Sequence, residues 1–151
     1  MASILQVMEA AKGIMRASGN MHQWTGGYPS DTVILGDIEK GGGYVIDDAG
    51  EVVAYFAFLP SPEPTYNKIY EGNWLDDKQP YHVVHRIASY PNVHHIFQHI
   101  MDFCFSVDRN IRIDTHIDNA IMRHCIDKYG FAYCGIIHLA NGDERLAYQK
   151  I

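Results

Sequence analysis

Apolar positions recur at helical spacing in two well-separated stretches of the chain. Residues 4–17 keep one apolar face, and Gly19-Asn20 ends that pattern. Residues 96–107 carry a stronger apolar face, which consists of Ile96, Phe97, Ile100, Met101, Cys104 and Phe105. We predict that both stretches are helices and that each packs one side against a core.

Two more helices are indicated by their capping residues. Ser30 or Asp31 can cap a short helix over residues 33–39, because either side chain accepts a hydrogen bond from the free N–H groups of a first turn. Asp118 can cap a last helix, which Gly130 is placed to end in a left-handed conformation.

Runs rich in β-branched and aromatic residues predict six strands. Two hairpins are marked by their turns, Asp47-Asp48-Ala49-Gly50 and Asn141-Gly142. Prolines at positions 60, 62 and 64 end the second strand, because proline has no N–H for the ladder. The predicted strands cover residues 44–46, 51–59, 82–88, 111–115, 131–139 and 145–149.

The predicted order is helix, helix, hairpin, strand, helix, strand, helix, hairpin. Hairpins supply antiparallel pairs on either side of a strand–helix–strand–helix unit, which is typical of a mixed α/β (α+β) sheet with helices on its faces. No internal repeat and no linker divides the chain. We therefore expect one domain over residues 1–151, built on a mixed, mostly antiparallel sheet.

Bulk composition limits the classes of function. Of the 151 residues, 47% are hydrophobic and 20% are charged, a balance typical of globular proteins. The sequence shows no bilayer-spanning apolar run and no basic leader ahead of an apolar stretch, so we expect a cytoplasmic protein without membrane association. A net charge of −6 argues against nucleic-acid binding, which needs clustered Lys and Arg.

Cysteine and histidine patterns give no strong metal or disulfide signal. Cys104, Cys125 and Cys134 form no CxxC pair and are interpreted as reduced, mostly buried thiols. Among nine histidines, His95 and His99 stand four apart on a predicted helix, but no third ligand follows at a fixed spacing. We expect no metal site.

The second half of the chain carries a family resemblance. The segment His85-Arg86-Ile87-Ala88-Ser89 precedes a loop and a helix, and further segments follow in order: Arg112-Ile113-Asp114-Thr115-His116, Asp118-Asn119, Lys128-Tyr129-Gly130-Phe131 and Tyr133-Cys134-Gly135-Ile136-Ile137. Together they resemble a bacterial branch of the GNAT N-acetyltransferase family. Gln23-Trp24 and Gly27-Tyr28-Pro29 also resemble the loop between that family's first two helices.

The resemblance implies acetyl-CoA as cosubstrate and direct attack by an amine, without an acyl-enzyme. It implies that the strand ending at Ser89 splays from its neighbour and that the pantetheine arm lies in the gap. A helix N-terminus can hold the pyrophosphate through backbone N–H groups and the helix dipole. The cofactor-binding residues implied are Ile87, Ala88, Ser89, His94, His95, Ile96, Phe97, Asn119 and Lys128.

Three features depart from the family pattern. The pyrophosphate loop over residues 89–96 contains no glycine, and His95 and His94 stand where a glycine and a basic residue are usual. Ile126 stands where many members place a tyrosine that protonates the leaving thiolate. The first strand of the family is short or missing, because the first predicted helix begins almost at residue 1.

Two residues are candidates for the general base. His85 lies on the strand beside the expected thioester position, but a half-buried histidine bonded to a neighbour is the slightly favoured reading. Glu71 is the alternative base, on the loop that leads into this strand. For Asn119, a helix cap and a pantetheine contact are equally favoured, whereas Lys128 is more often a solvated helix-end lysine.

Aromatic side chains on loops suggest an acceptor pocket. Trp24, Tyr28, Tyr66 and Trp74 are its candidate walls, with Thr115 at the end of its strand. The expected acceptor is a primary amine of a small molecule, an amino acid or a peptide. The alternatives are a GNAT-fold binding protein that has lost efficient cofactor use and a homodimeric interaction protein that uses an exposed sheet edge or hairpin. The last is compatible with either of the other two.

Overall fold

The computed structural model describes all residues, 1–151, and contains four α-helices and six strands. The helices are α1 (Ala2–Ala17), α2 (Asp31–Glu39), α3 (Ile96–Val107) and α4 (Ala120–Tyr129). The strands are β1 (Gly43–Asp48), β2 (Glu51–Pro60), β3 (His82–Ser89), β4 (Ile111–Thr115), β5 (Ala132–His138) and β6 (Glu144–Lys150). Every predicted element is confirmed, with ends that differ by at most two residues. No strand precedes α1.

The helix ends settle which residues act as caps. Ser30 caps α2, since its hydroxyl oxygen accepts from the N–H of Val33. Asn119 caps α4, and the prediction of Asp118 was wrong because the helix begins one residue later. Gly130 ends α4 with a φ of 106°, as its position predicted.

The sheet has the strand order β1-β2-β3-β4-β6-β5. Four of its five strand pairs are antiparallel, and β3 and β4 form the single parallel pair. The expected mixed, mostly antiparallel sheet is therefore confirmed.

Helices and loops cover both faces of the sheet. Helices α3 and α4 pack on one face, where Phe56, Ile100 and Ile126 belong to the largest buried cluster. Helix α1 packs on the other face against Tyr55 and Ala88. No helix of the structure is both long and apolar enough to cross a membrane.

The long connection from β2 to β3 covers the rest of that second face. It contains one short 3-10 helix, Pro64–Tyr66. Its far end is held by Arg112, whose guanidinium is stacked between the rings of Trp74 and Tyr81 at 4.0 and 3.9 Å from their centroids. These stacks fix the connection against the sheet.

Strands β3 and β4 separate part of the way along. They are paired at three positions only, the last being Val84 with Ile113. Beyond this point β3 carries a bulge. His85 pairs with Ala57 and Ala88 pairs with Tyr55, so β3 advances three residues where β2 advances two. Within the bulge, Arg86 has a φ of 52°. The separation leaves a gap in the middle of the sheet.

Candidate functional site

A cavity of about 560 Å³ lies at the gap between β3 and β4. Its walls come from six parts of the chain: the loop after α1, α2, the connection after β2, the inner ends of β3 and β4, the start of α4, and the β5–β6 turn. The cavity therefore lies where the strand ends meet several loops, a common position for a ligand site.

His85 lies inside this cavity between two carboxylates. Its Nε2 atom is 3.9 Å from Oε2 of Glu63, and its Nδ1 atom is 3.9 Å from Oδ2 of Asp114. The ring retains 19% exposure, so it remains accessible from the cavity. Because 3.9 Å exceeds a hydrogen bond, these two contacts are electrostatic and leave both ring nitrogens free to bond a third group.

Glu63 is held as an anion. Its interaction with His85 is the largest cause, and two hydrogen bonds from Thr65 add to it, so that the pKa of Glu63 falls to about 2 although burial opposes the change. The Thr65 hydroxyl donates to Oε1 of Glu63 at 2.8 Å, which leaves Oε2 facing His85.

Asp114 is held from the other side by a buried tyrosine. The hydroxyl of Tyr66 donates to Oδ2 of Asp114 at 2.5 Å, and Tyr66 is fully buried. Burial and the neighbouring Asp114 charge raise the pKa of Tyr66 well above its ordinary value, so it remains a proton donor. The cluster of Glu63, His85, Asp114 and Tyr66 is referred to below as the carboxylate–histidine cluster.

A second network fixes the β3 bulge beside this cluster. Arg86 donates from Nε to Oδ2 of Asp37 at 2.8 Å and from Nη2 to Oδ1 at 2.5 Å. Tyr55 donates to the same carboxylate at 2.8 Å, and Nη1 of Arg86 donates to the hydroxyl of Tyr28 at 3.0 Å. The bulge and the loop after α1 are therefore tied to α2.

Six of the residues that the sequence singled out line the cavity. Their contact with cosubstrate or acceptor stays a prediction. They are Trp24, Tyr28, His85, Ile87, Thr115 and Asn119. The hydroxyl oxygen of Thr115 is buried and has no hydrogen-bond partner.

Other candidates lie elsewhere. Trp74 does not wall the cavity, because its indole is buried in the cluster beneath the β2–β3 connection and stacks on Arg112. Glu71 is exposed on that connection and does not face the cavity, which removes the structural basis for its role as a base. Lys128 is exposed at the end of α4, and Ala88 is buried against α1.

Asn119 caps α4 and also bonds to the loop that follows α1. Its Oδ1 accepts from the N–H of Met122 at 3.1 Å, and its Nδ2 donates to Oε1 of Gln23 at 3.0 Å. Gln23 also accepts from Asn20, so the loop after α1 is joined to the start of α4. Both sides of the Asn119 amide therefore have partners within the protein.

The glycine-free loop before α3 contains one residue in the left-handed conformation that usually favours glycine. His95 has a φ of 61°, in the left-handed region, and its side chain makes no cap for α3. The backbone N–H groups of residues 94–98 donate to no acceptor in the chain. Ser89 is the last residue of β3, and Ile96 and Phe97 begin α3; all three lie outside the main cavity.

Ile126 faces away from the cavity. It is completely buried in the cluster under α3 and α4, whereas Met122, one turn earlier, lines the cavity. No group of three or more His, Cys, Asp or Glu side chains is arranged to hold a metal ion.

Several site residues were not identified from the sequence. Glu63 lies in a proline-rich connection with no periodic pattern, and the buried Asp37 lies on a helix with a weak apolar face. Asp114 was detectable, because it directly precedes Thr115 in the segment that carries the family resemblance. Tyr66 was predicted as a pocket wall, and its bond to Asp114 depends on tertiary folding.

Several solved structures of acetyltransferases are similar to this protein. A GNAT-family acetyltransferase from Streptococcus agalactiae matches with a TM-score of 0.88 and 34% identity, over 97% of this chain and 87% of the other. A putative acetyltransferase from Staphylococcus aureus (TM-score 0.68, 20% identity, 99% and 90% covered) and a GNAT-family acetyltransferase from Listeria monocytogenes (0.69, 19%, 97% and 86%) share the fold. No family model and no curated protein sequence matches. The similarity to the streptococcal protein extends over almost the whole chain, and the protein described here belongs to the GNAT family of acetyltransferases.

Proposed function

We propose that this protein transfers an acetyl group from acetyl-CoA to a primary amine by direct attack. The observation that carries the proposal is the carboxylate–histidine cluster at the gap where β3 and β4 separate. A proton acceptor and two anions thus lie beside a space that can admit an extended chain. The arrangement suits deprotonation of an ammonium ion next to an acyl donor.

The residues around the gap fit acetyl-CoA. Beyond Val84 the edge of β3 that faces β4 has no strand partner, so its backbone groups are free to pair with an extended pantetheine arm. Five free N–H groups at residues 94–98 lie at the start of α3, where the helix dipole favours an anion such as a pyrophosphate. Acetyl-CoA supplies the thioester carbonyl that the amine attacks, with the CoA thiol as leaving group.

The carboxylate–histidine cluster prepares the amine. Glu63 and Asp114 attract the incoming ammonium group, and His85 takes its proton so that the nitrogen lone pair is free to attack. The two carboxylates stabilise the imidazolium that forms. Tyr66 keeps Asp114 in place through its 2.5 Å hydrogen bond.

The leaving thiolate takes its proton from solvent in this proposal. Ile126 supplies no acidic hydrogen, and no tyrosine of α4 lines the cavity. A thiol with an ordinary pKa of about 8.5 is a workable leaving group without a dedicated acid.

The test is direct. The purified protein is mixed with acetyl-CoA and a panel of primary amines, and release of free CoA thiol is followed. Amine-dependent release supports the proposal. Absence of release across the panel, together with the absence of a thermal shift at millimolar acetyl-CoA, would contradict it.

A second candidate function is a GNAT-fold binding protein without catalysis. Two observations favour it: His95 places an imidazole and a Cβ where the pyrophosphate backbone approach is needed, and Ile126 replaces the usual acid. A calorimetric titration that shows acetyl-CoA binding, combined with no amine-dependent thiol release, would support this candidate over the first.

A further inference from the structure

The cavity contains a buried cation without an acidic partner. Three arginines on the sheet keep little exposure, and two of them are paired: Arg86 with Asp37 and Arg112 with Asp77. Arg145 is 8% exposed and has no carboxylate within 4.0 Å of its guanidinium. Its only hydrogen bond within the protein joins Nη1 to the backbone oxygen of its neighbour Glu144 at 2.9 Å.

Arginines with little exposure are normally matched by an acid, and Arg145 is not. The arginine guanidinium has five N–H donors, and in Arg145 only the Nη1 atom donates to a group of the protein. The rest is available to a planar anion such as a carboxylate. These unpaired N–H groups are not among the buried unsatisfied polar atoms, so they remain accessible to a ligand in the cavity that Arg145 lines.

No acid around Arg145 is paired with it. Asp143, which lines the same cavity, accepts a hydrogen bond from the side chain of Asn141 at 3.1 Å. The pKa of His116 is lowered, first by burial and then by the positive charge of Arg145, so this ring remains neutral. The ring of His22 is 6.3 Å from that of His116. Arg145 is therefore the cation at this end of the cavity, and Asp143 and Asp118 lie near it around His116.

Arg145 and His85 belong to opposite ends of one cavity. Asp114, which contacts His85, is paired with Ala147 of β6, and Arg145 lies two residues before Ala147 on the same face of that strand. In a regular sheet, two strand spacings of about 4.8 Å and two residues of about 3.3 Å would separate their backbones by about 12 Å, and the gap between β3 and β4 increases this distance. Both side chains line the cavity, so one ligand can reach both.

We propose that Arg145 binds the carboxylate of the acceptor, so that the acceptor is an amino acid or another amine that carries a carboxylate. This inference rests on the proposed acetyl transfer and names the substrate class of the same site. The amine lies at the negative end, with Glu63 and Asp114, and the carboxylate lies at Arg145. Asp143 and Asp118 near this end repel a doubly charged phosphate more strongly than a singly charged carboxylate, which favours the carboxylate.

Paired substrates test the proposal. A series of ω-amino acids from β-alanine to 6-aminohexanoate, with several α-amino acids, is compared with amines of the same length that lack the carboxylate. We expect kcat/KM about 10- to 100-fold higher for the carboxylate member of at least one pair, the range of a charge-assisted hydrogen bond. Equal values for every pair would overturn the inference.

Variants identify the residue responsible. Arg145→Gln should raise KM for the carboxylate-bearing amine by about the same factor without changing KM for acetyl-CoA, so that the preference for the carboxylate member of the pair is lost, whereas Arg145→Lys should retain part of the preference. Lys40→Gln is the matched control, because Lys40 also lines the cavity but is exposed. If Arg145→Gln raised KM for acetyl-CoA instead, the assignment would be wrong.

Two further readouts separate this inference from folding and from acetyl transfer. Removal of an unpaired buried charge should leave the melting temperature equal or higher, so a large decrease in Arg145→Gln would indicate a structural role and overturn the assignment. Calorimetric titration with the ω-amino acids measures binding without turnover. Binding that depends on Arg145, in a protein that acetylates no amine, would contradict the proposed acetyl transfer and still support the carboxylate site.

Discussion

The Nδ1 atom of His85 lies 3.9 Å from Oδ2 of Asp114, although the strands that carry these residues separate immediately before them. Their side chains approach each other across the gap while the backbones diverge. The same departure from regular sheet pairing therefore creates a space for an extended ligand and leaves a proton acceptor, His85, beside that space.

His85→Gln should lower kcat/KM for the amine by about 100- to 10,000-fold near neutral pH, the usual contribution of a general base. The substitution keeps a polar side chain but cannot take up a proton. Steady-state kinetics with thiol detection gives the value, and KM for acetyl-CoA should be unchanged. Glu71→Gln is the comparison, because Glu71 is exposed and outside the cavity. An active His85→Gln variant beside an inactive Glu71→Gln variant would contradict the site as described.

Glu63→Gln should reduce the free energy of unfolding at pH 7, by an amount that disappears in acid. The folded-state pKa of Glu63 is about 2 and its ordinary value is 4.5, so its ionisation stabilises the folded protein above pH 4.5. That contribution is lost as the pH falls from 4.5 to about 2. Urea unfolding of both proteins between pH 7 and pH 3 measures the difference. Glu51→Gln, at an exposed position, should show no such trend; a constant difference for Glu63→Gln would exclude ionisation as its cause.

The sequence predicted the sheet and helices well, because their signals are local. Apolar periodicity located α1 and α3, and Asn141-Gly142 located the turn between β5 and β6. The gap between β3 and β4 was expected from the family resemblance and is confirmed by the loss of pairing after Val84.

The site was predicted only in part, because its charges come from segments far apart in the sequence. Glu63 and His85 are 22 positions apart, and Arg86 and Asp37 are 49 positions apart. Periodicity carries no information on such pairs. Trp74 illustrates the same limit, since an aromatic residue on a loop was predicted to wall a pocket and instead covers Arg112.

His95→Gly should tighten acetyl-CoA binding with little effect on stability. Glycine adopts the left-handed backbone at this position without the cost of about 1 kcal/mol that a side chain adds, but it also increases the freedom of the unfolded chain by a similar amount. The free energy of unfolding should thus change by less than about 1 kcal/mol. His95→Ala removes the ring and keeps the Cβ, so titration of both variants separates crowding by the ring from backbone strain. Weaker binding by His95→Gly would indicate that the imidazole itself contacts the phosphates.

Ile126→Tyr should fail to supply the acid that is usual in the family. Ile126 is completely buried, so a larger side chain overpacks the core and should cost about 1–3 kcal/mol of stability without raising kcat. Met122→Tyr places the same hydroxyl one turn earlier on the side of α4 that lines the cavity. Thermal unfolding and kcat distinguish the two variants, and an increase in kcat for Ile126→Tyr alone would show that the helix face is assigned wrongly.

Asp37→Ala should be among the most destabilising single changes in the cavity wall. It leaves the guanidinium of Arg86 and the hydroxyl of Tyr55 buried without their acceptor, and breaking a buried ion pair from one side costs about 3–5 kcal/mol. Tyr55→Phe removes one hydrogen bond from the same carboxylate and should cost about 1 kcal/mol. The double variant Asp37→Ala/Arg86→Leu should recover part of the loss, because the unpaired charge is gone. Urea unfolding of the three variants gives these values. A loss for Asp37→Ala no larger than that for Tyr55→Phe would mean that the ion pair does not hold the β3 bulge, and hence that His85 owes its position to the backbone alone.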